Sequence, residues 1–481
     1  MSESSRSSFS VRDLIARIRQ RFPWPPIKPP VVQPPIVVPD RDQIGVDRRR
    51  AQVGVIREAF REKFGEDVVA VASAKDPERA EDDADVNFLY HPRRMLVREG
   101  EDFEILTRFY SDPERERDFE GELTRVTEPI RGELVLVEVP MRRDGRDAVL
   151  ASLREIDRAH PERTERRKPV AQPDHVLYVT AEGRLCPDTE PEVPREKGPV
   201  PPLTSNASAG KDVSVSVVDT GWWKAAAAHS VTKNWVSDVQ ADPDDEEHLN
   251  GTAIHEYAGH GTFVAGVIKC LAPAARVEVE GALPTAGAVF ESDICEQLDQ
   301  ALHDDNLPNL ISISAGTHTR KNLGLLGFEI LMAKKGADDG VRTIVIAAAG
   351  NDETDDEFYP AAYDWVVGVG SVDPDGKRSK FSNYGKWVNV YARGRDLVNA
   401  FCVGTYTCHY PENIHNNVPE VREFDGLARW SGTSFATPVV TGAIAAHMSE
   451  TANLTDPWKA YQELLQNAHT GPGGETIIGP L

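Results

Sequence analysis

Four residues stand where acyl-transfer chemistry would need them. Ser434 follows Gly432-Thr433 and opens an apolar helical run, RWSGTSFATPVVTGAIAAHM, with Pro438 in its first turns. A serine at a helix N-terminus has backbone N–H groups and the positive end of the helix dipole beside it. Those groups support the negative charge that develops when a carbonyl is attacked. Serine is also a good N-cap, so the position alone does not separate a nucleophile from a cap. His260 lies between Gly259 and Gly261 in YAGHGTFVAG. Glycines there let other backbone approach closely and leave the imidazole uncovered. Asp219 ends the apolar run VSVSVVD, where a carboxylate is shielded yet within reach of a histidine, or is a plain turn residue. Asn351 follows Gly350 at the end of IAAAGN, and its amide can donate to an oxyanion or simply make a turn.

Competing chemistries fit less well. D-T-G at Asp219 also suits a paired-carboxylate protease, but no second D-T-G or D-S-G is present. His255 and His260 resemble the zinc pattern H-E-x-x-H, but stand five residues apart instead of four. On a helix that puts the imidazoles about 140° apart, off a common face. The hydrolase elbow G-x-S-x-G fails at Ala436. Taken together, the order Asp…His…Ser is one of the known triad orders.

These residues need a scaffold that brings distant segments together. From residue 211 short β-branched runs (213–219, 275–282, 309–316, 342–350 and 365–372) alternate with helical patterns (259–270, 291–304, 325–338 and 434–449). Continuous apolar strands joined by helices predict a mostly parallel α/β sheet with helices on both faces, whose chemistry sits at the carboxyl ends of the strands. Residues 92–180 read as strand 93–99, helix 101–112, strands 121–128 and 133–140, helix 147–160 and strand 175–180. That β-α-β-β-α-β order predicts a ferredoxin-like α+β unit. Residues 181–210, rich in Pro, Glu and Gly, read as a linker. Residues 1–91 read as a leader, with a basic amphipathic helix over 11–22, a polyproline-type spacer over 23–39 and helical spacing over 45–64. The spacer is a candidate ligand for a Pro-recognising partner.

The chain has 481 residues and a formal net charge of -23. A field of that sign repels nucleic acid, so nucleic-acid binding is not expected. No apolar run reaches the length of a transmembrane helix. The N-terminus lacks the apolar core of a secretion signal. Five cysteines, odd in number and without CxxC, favour a reducing, cytoplasmic setting and free thiols over a Cys402–Cys408 bridge.

The motifs D-T-G (Asp219), H-G-T-x-V-A-G (His260), A-A-G-N (Asn351) and G-T-S-x-A-x-P (Ser434) resemble those of the subtilisin-like serine proteases, the subtilases. Tyr359-Pro360-Ala361 and Phe381-Ser382-Asn383-Tyr384-Gly385 are further echoes. The resemblance covers roughly 211–470 and implies a subtilisin-like domain over 211–481. It implies Ser434 as nucleophile, His260 as general base and acid, Asp219 as its orienting partner, and Asn351 in the oxyanion hole. It implies that a peptide substrate lies as a strand beside Ser314, Ala315 and Gly316, with Ala348 and Gly350 lining the site. Ala315 stands where the family often has leucine. Subtilase propeptides have the ferredoxin-like fold and block the cleft, so 92–180 is expected to act as the chain's own inhibitor, with 181–205 as its tail. No cofactor and no catalytic metal are implied. The acidic loop Asp352, Glu353, Asp355, Asp356 and Glu357 is expected to favour Lys or Arg in the substrate, or to bind a structural calcium ion. The same ambiguity holds for Asp242, Asp244, Asp245, Glu246 and Glu247. Within the same chemistry a peptide ligase or macrocyclase is the alternative, and outside it a non-catalytic binding module.

Overall fold

The computed structural model describes residues 41–73, 86–130, 132–179, 190–194, 204–301, 307–331 and 343–480. The expected helix 11–22, the Pro-rich segment 23–39, Cys186 and most of the 181–210 linker lie outside these residues.

The N-terminal unit opens with helix α1 (Arg41–Phe64) and a short strand, Ala70–Ser73. There follow β1 (Val86–Arg98), α2 (Glu101–Tyr110), β2 (Thr124–Arg125), β3 (Leu134–Glu138), α3 (Ala148–Ala159) and β4 (Ala171–Val179). The strands pair antiparallel in the order β4-β1-β3-β2. α3 starts where Asp147 accepts from the Leu150 amide at 2.6 Å, an N-cap that satisfies one helix-end donor. Its apolar stripe, Val149, Leu150, Leu153 and Ile156, is buried in one cluster with Val97, Val135 and Val137 of the sheet. The strand expected over 121–128 shrinks to two residues. None of 121–128 is buried, so no apolar face holds a longer strand there.

The second unit contains β5 (Ser214–Val218), α4 (His260–Leu271), β6 (Arg276–Glu280), β7 (Ala288–Phe290), α5 (Glu291–Ala301), β8 (Leu310–Ile313), β9 (Ala315–Gly316) and β10 (Ile344–Ala348). It continues with β11 (Val366–Val372), β12 (Val390–Arg393), β13 (Leu397–Thr407), β14 (Val421–Trp430) and α6 (Thr433–Glu450). β6-β5-β8-β10-β11-β12 form a parallel sheet, as the alternation of apolar runs and helices predicts. α4 and α6 run through the interior. Every residue of α4 is buried, which explains its all-round apolar sequence. The two helices touch at Gly442, where a Cβ would stand 2.9 Å from the Leu271 Cβ.

β13 and β14 form a long antiparallel hairpin that the sequence pattern did not announce. The inward positions of β14 include Gly426 and Ala428 beside Phe424 and Trp430, so its alternation is weak in hydropathy. Cys402 and Cys408 are buried free thiols, as are Cys270 and Cys295.

The two units share strand pairing. β4 lies between β7 and β9, antiparallel to both, so the sheet of the N-terminal unit runs onto the second unit.

Candidate active site

Asp219 follows the last residue of β5 and is fully buried. Its amide donates to the Glu280 carbonyl at 3.0 Å, and its own carbonyl accepts from Leu283 at 3.0 Å. The backbone at Asp219 is therefore held against the end of β6 and the residues that follow it. One oxygen, Oδ1, accepts from the Thr220 amide at 2.8 Å and lies 2.6 Å from His260 Nδ1. His260 opens α4, behind Gly259 in the left-handed region at φ 81°. A Cβ on Gly259 would sit 2.7 Å from the Phe401 ring, and one on Gly261 would sit 2.5 Å from the Gly221 carbonyl oxygen. Both glycines are thus required by close approach, and the approach at Gly261 brings the Asp219 segment to the histidine.

Ser434 is the second residue of α6 and is buried. Its hydroxyl donates to the Ser314 carbonyl at 3.1 Å, and the Ser314 hydroxyl donates to the Ser434 carbonyl at 2.8 Å. Asn351 lies three residues past β10 and is 1% exposed. Its Oδ1 accepts from both the amide and the hydroxyl of Thr433, each at 2.9 Å. The same Thr433 hydroxyl accepts from the Gly350 amide at 3.1 Å. With its oxygen held this way, the Asn351 Nδ2 is turned to the other side. Thr433 is a site residue that the motif alone did not single out. Asn383 supports the same loop, accepting from Asp352 at 2.8 Å and donating to the Ala349 carbonyl at 2.9 Å.

Ser314, Ala315 and Gly316 form an edge next to Ser434, and Ala348 and Gly350 are buried at the end of β10. Gly316 has no room for a side chain, because a Cβ would stand 2.4 Å from Phe358. The edge is occupied by the chain itself. Ala315 lies opposite Val179, and Gly316 opposite Tyr178. On the other flank Val179 donates to the Gly287 carbonyl at 2.8 Å. α1 adds contacts at the same place. Arg49 pairs with Asp352, Gln52 Nε2 lies 3.4 Å from the Val179 carbonyl, and Arg48 pairs with Glu412 at 2.6 Å.

Three further residues frame the histidine. Trp430 meets the His260 ring edge-on with centroids 5.3 Å apart, and Phe435 packs on it at 5.1 Å. Glu247, 8% exposed, accepts from the Gly259 amide at 2.7 Å and the Thr220 hydroxyl at 3.2 Å. Burial pushes its carboxyl up to about 8. Two more residues of its acidic loop are tied down locally, with Asp245 accepting from Gly281 at 2.8 Å and Glu246 paired with Lys224 at 2.6 Å. In the loop after Asn351, Asp352 meets Arg49 and His318, and Glu357 meets Arg167 at 2.6 Å. The cations facing that loop are the chain's own. Among the described residues no three His, Cys, Asp or Glu side chains gather as a metal-binding group. His255 is turned to Glu247, 3.5 Å away.

Known proteins resemble this chain in sequence. A family model described as the subtilase family matches residues 210–478. A thermophilic serine proteinase of Bacillus sp. (strain AK1) is 32% identical over 206 residues, which is 40% of this chain and 43% of that protein. An intracellular serine protease of Paenibacillus polymyxa is 29% identical over 291 residues, 55% of this chain and 76% of its own length. The major intracellular serine protease of Bacillus subtilis (strain 168) is 27% identical over 262 residues, 51% of this chain and 71% of its own. The chain thus spans less than half the length of the first relative and over two thirds of the other two. With a family match over more than half of its residues, the chain belongs to the subtilase family of serine endopeptidases.

Proposed function

We propose that this chain cuts polypeptides in the cytoplasm by serine acyl transfer, and that its own N-terminal unit restrains it. Ser434 Oγ attacks the carbonyl carbon of the bond to be cut, while His260 takes the hydroxyl proton. The same proton then goes to the departing amine, and water repeats the sequence on the acyl-enzyme. Asp219 fixes the imidazole tautomer and stabilises the imidazolium. The Asn351 amide and the Ser434 N–H stabilise the oxyanion, a contribution worth about 3–4 kcal/mol per side-chain donor.

The observation that carries this reading is the buried 2.6 Å contact between His260 Nδ1 and Asp219 Oδ1, in the same site as Ser434 at the start of α6. Restraint is supported by β4, which fills the Ser314–Gly316 edge that a substrate strand would use. Two relatives named as intracellular proteases support the cytoplasmic setting. Hydrolysis of an unfolded protein such as casein, compared between the wild type and Ser434→Ala, tests the reading. Cleavage by the wild type alone is expected, and equal rates from the two proteins would overturn it.

A further inference from the structure

Past β4 the chain touches the second unit again over residues 190–194. Glu190 is 2% exposed and both of its oxygens are held. Oε1 accepts from the Tyr406 hydroxyl at 3.0 Å and the His409 amide at 2.6 Å. Oε2 accepts from Asn413 Nδ2 at 2.6 Å and the Tyr410 amide at 3.4 Å. Four donors converge on one buried carboxyl group, all from β13 and the turn after it. The backbone just after it binds as a strand. Glu192 and Arg429 exchange amide-to-carbonyl bonds of 2.9 and 2.8 Å along the outer edge of β14, and Arg422 donates to the Pro191 carbonyl at 2.9 Å.

This second docking place flanks the catalytic centre. Arg429 precedes Trp430, which packs on His260. Val179, the end of the first docked segment, lies opposite Ala315, next to the Ser314 carbonyl that meets Ser434. A polypeptide held at both places has its N-terminal part at Ser314–Gly316 and its C-terminal part on β14. Residues held on β14 therefore belong to the departing side of a cleaved bond.

We propose that the cradle of Tyr406, His409, Tyr410 and Asn413 is a subsite for a glutamate side chain on the departing side of polypeptide substrates, and that Glu190 is its internal occupant. This rests on the peptidase reading above. The strand pairing on β14 is indifferent to sequence, as main-chain bonds are, so selectivity comes from the cradle. Four N–H or O–H donors match a carboxylate. A glutamine would turn its own NH2 against one or two of them, leaving buried donors unpaired, and sites built on hydrogen bonds reject such mismatches strongly.

Binding tests this without turnover. In the full chain carrying Ser434→Ala and Glu190→Ala, the internal carboxylate is gone and the catalytic oxygen is absent. A labelled peptide CPDTEPEVP, the sequence of residues 186–194, is expected to bind at least tenfold more tightly than CPDTQPEVP. Asn413→Ala added to that chain is expected to bring the two peptides within about twofold of each other, by weakening the glutamate peptide. Equal affinity of the two peptides, or no binding of either, overturns the subsite. A second arm uses the Glu190→Ala chain with Ser434 intact and peptide substrates that differ only in Glu or Gln beyond the cut. Cleavage of both at equal rates at every position removes the subsite and leaves the peptidase standing. Tight, selective binding without any cleavage removes the peptidase reading instead.

Discussion

Val179 of the N-terminal unit lies directly opposite Ala315 of the catalytic unit and donates its amide to Gly287 on the other flank at 2.8 Å. One short strand thus closes a three-stranded ladder with the edge that a substrate would use. The restraint proposed for this protein is local and reducible to a few hydrogen bonds.

Val179→Pro removes that donor, since proline has no N–H to give. The lost bond is worth about 1 kcal/mol net, a factor of about five in an equilibrium. The full chain should then hydrolyse a small peptide substrate roughly fivefold faster. A rate equal to wild type, with the fold intact by circular dichroism, would contradict the restraint.

Buried titratable groups lie on the same strand and beside it. Asp174 accepts from the amide and the hydroxyl of Ser292 at 3.0 and 2.8 Å, and His175 Nδ1 lies 3.2 Å from Glu291 Oε2. Burial pushes Asp174 and Glu291 each up to about 8, and burial, with the Arg320 charge adding to it, pushes His175 down to about 3. For each carboxyl the docked state holds the proton more tightly. Its stabilisation is complete below the ordinary value, 3.8 or 4.5, and is lost as pH rises through about 8. His175 has the opposite sign, with stabilisation present above 6.5 and lost as pH falls toward 3. Above pH 6.5 only the carboxyl effect remains, so docking should weaken from pH 6.5 to 8. Hydrogen exchange of β4 amides in Ser434→Ala, corrected for the intrinsic rate, should speed up several-fold over that interval. Slower exchange at pH 8 would contradict the assignment.

Glu247 ties the Asp219 segment to the His260 segment, through Thr220 next to Asp219 and Gly259 next to His260. Glu247→Ala leaves two buried donors unmatched, at about 1–3 kcal/mol each. A Tm lower by several degrees and a kcat at least tenfold lower are expected, with KM little changed. Glu247→Gln keeps an acceptor and should recover most of both. An alanine variant with wild-type kcat would show that the pair needs no such bridge.

Thr433→Val tests the orientation of Asn351, because the threonine hydroxyl both donates to Asn351 and accepts from Gly350. Direct loss of the amide in Asn351→Ala should lower kcat by about 100- to 1000-fold. Thr433→Val should give a smaller fall, about tenfold, since the amide is present but less well held. Steady-state kinetics on one peptide separate the two, and an unaffected Thr433→Val would place the control of Asn351 elsewhere.

The parallel sheet was legible because its strands are continuous apolar runs, and Asp219 and Asn351 stood out because they end such runs. His260 stood out through its flanking glycines, whose reason is the close approach of Gly221 and Phe401. Local sequence carries that kind of information. The β13–β14 hairpin was not legible, because glycine and alanine fill inward positions of β14 and blur its alternation. Thr433, Glu247 and Glu190 were missed for a related reason. Each acts through a hydrogen bond to a residue that only the fold brings near, and Glu247 looks like a member of an ordinary acidic loop and Glu190 like part of a linker.

The proposed function makes Ser434 the nucleophile of a peptidase restrained by its own N-terminal unit. Its most direct test is mass analysis of the purified full chain beside Ser434→Ala, with casein hydrolysis followed in the same samples. Only the wild type is expected to be cut between its two docked segments, between residues 179 and 190, and only the wild type is expected to degrade casein. Identical fragments and identical casein hydrolysis from both proteins would contradict it.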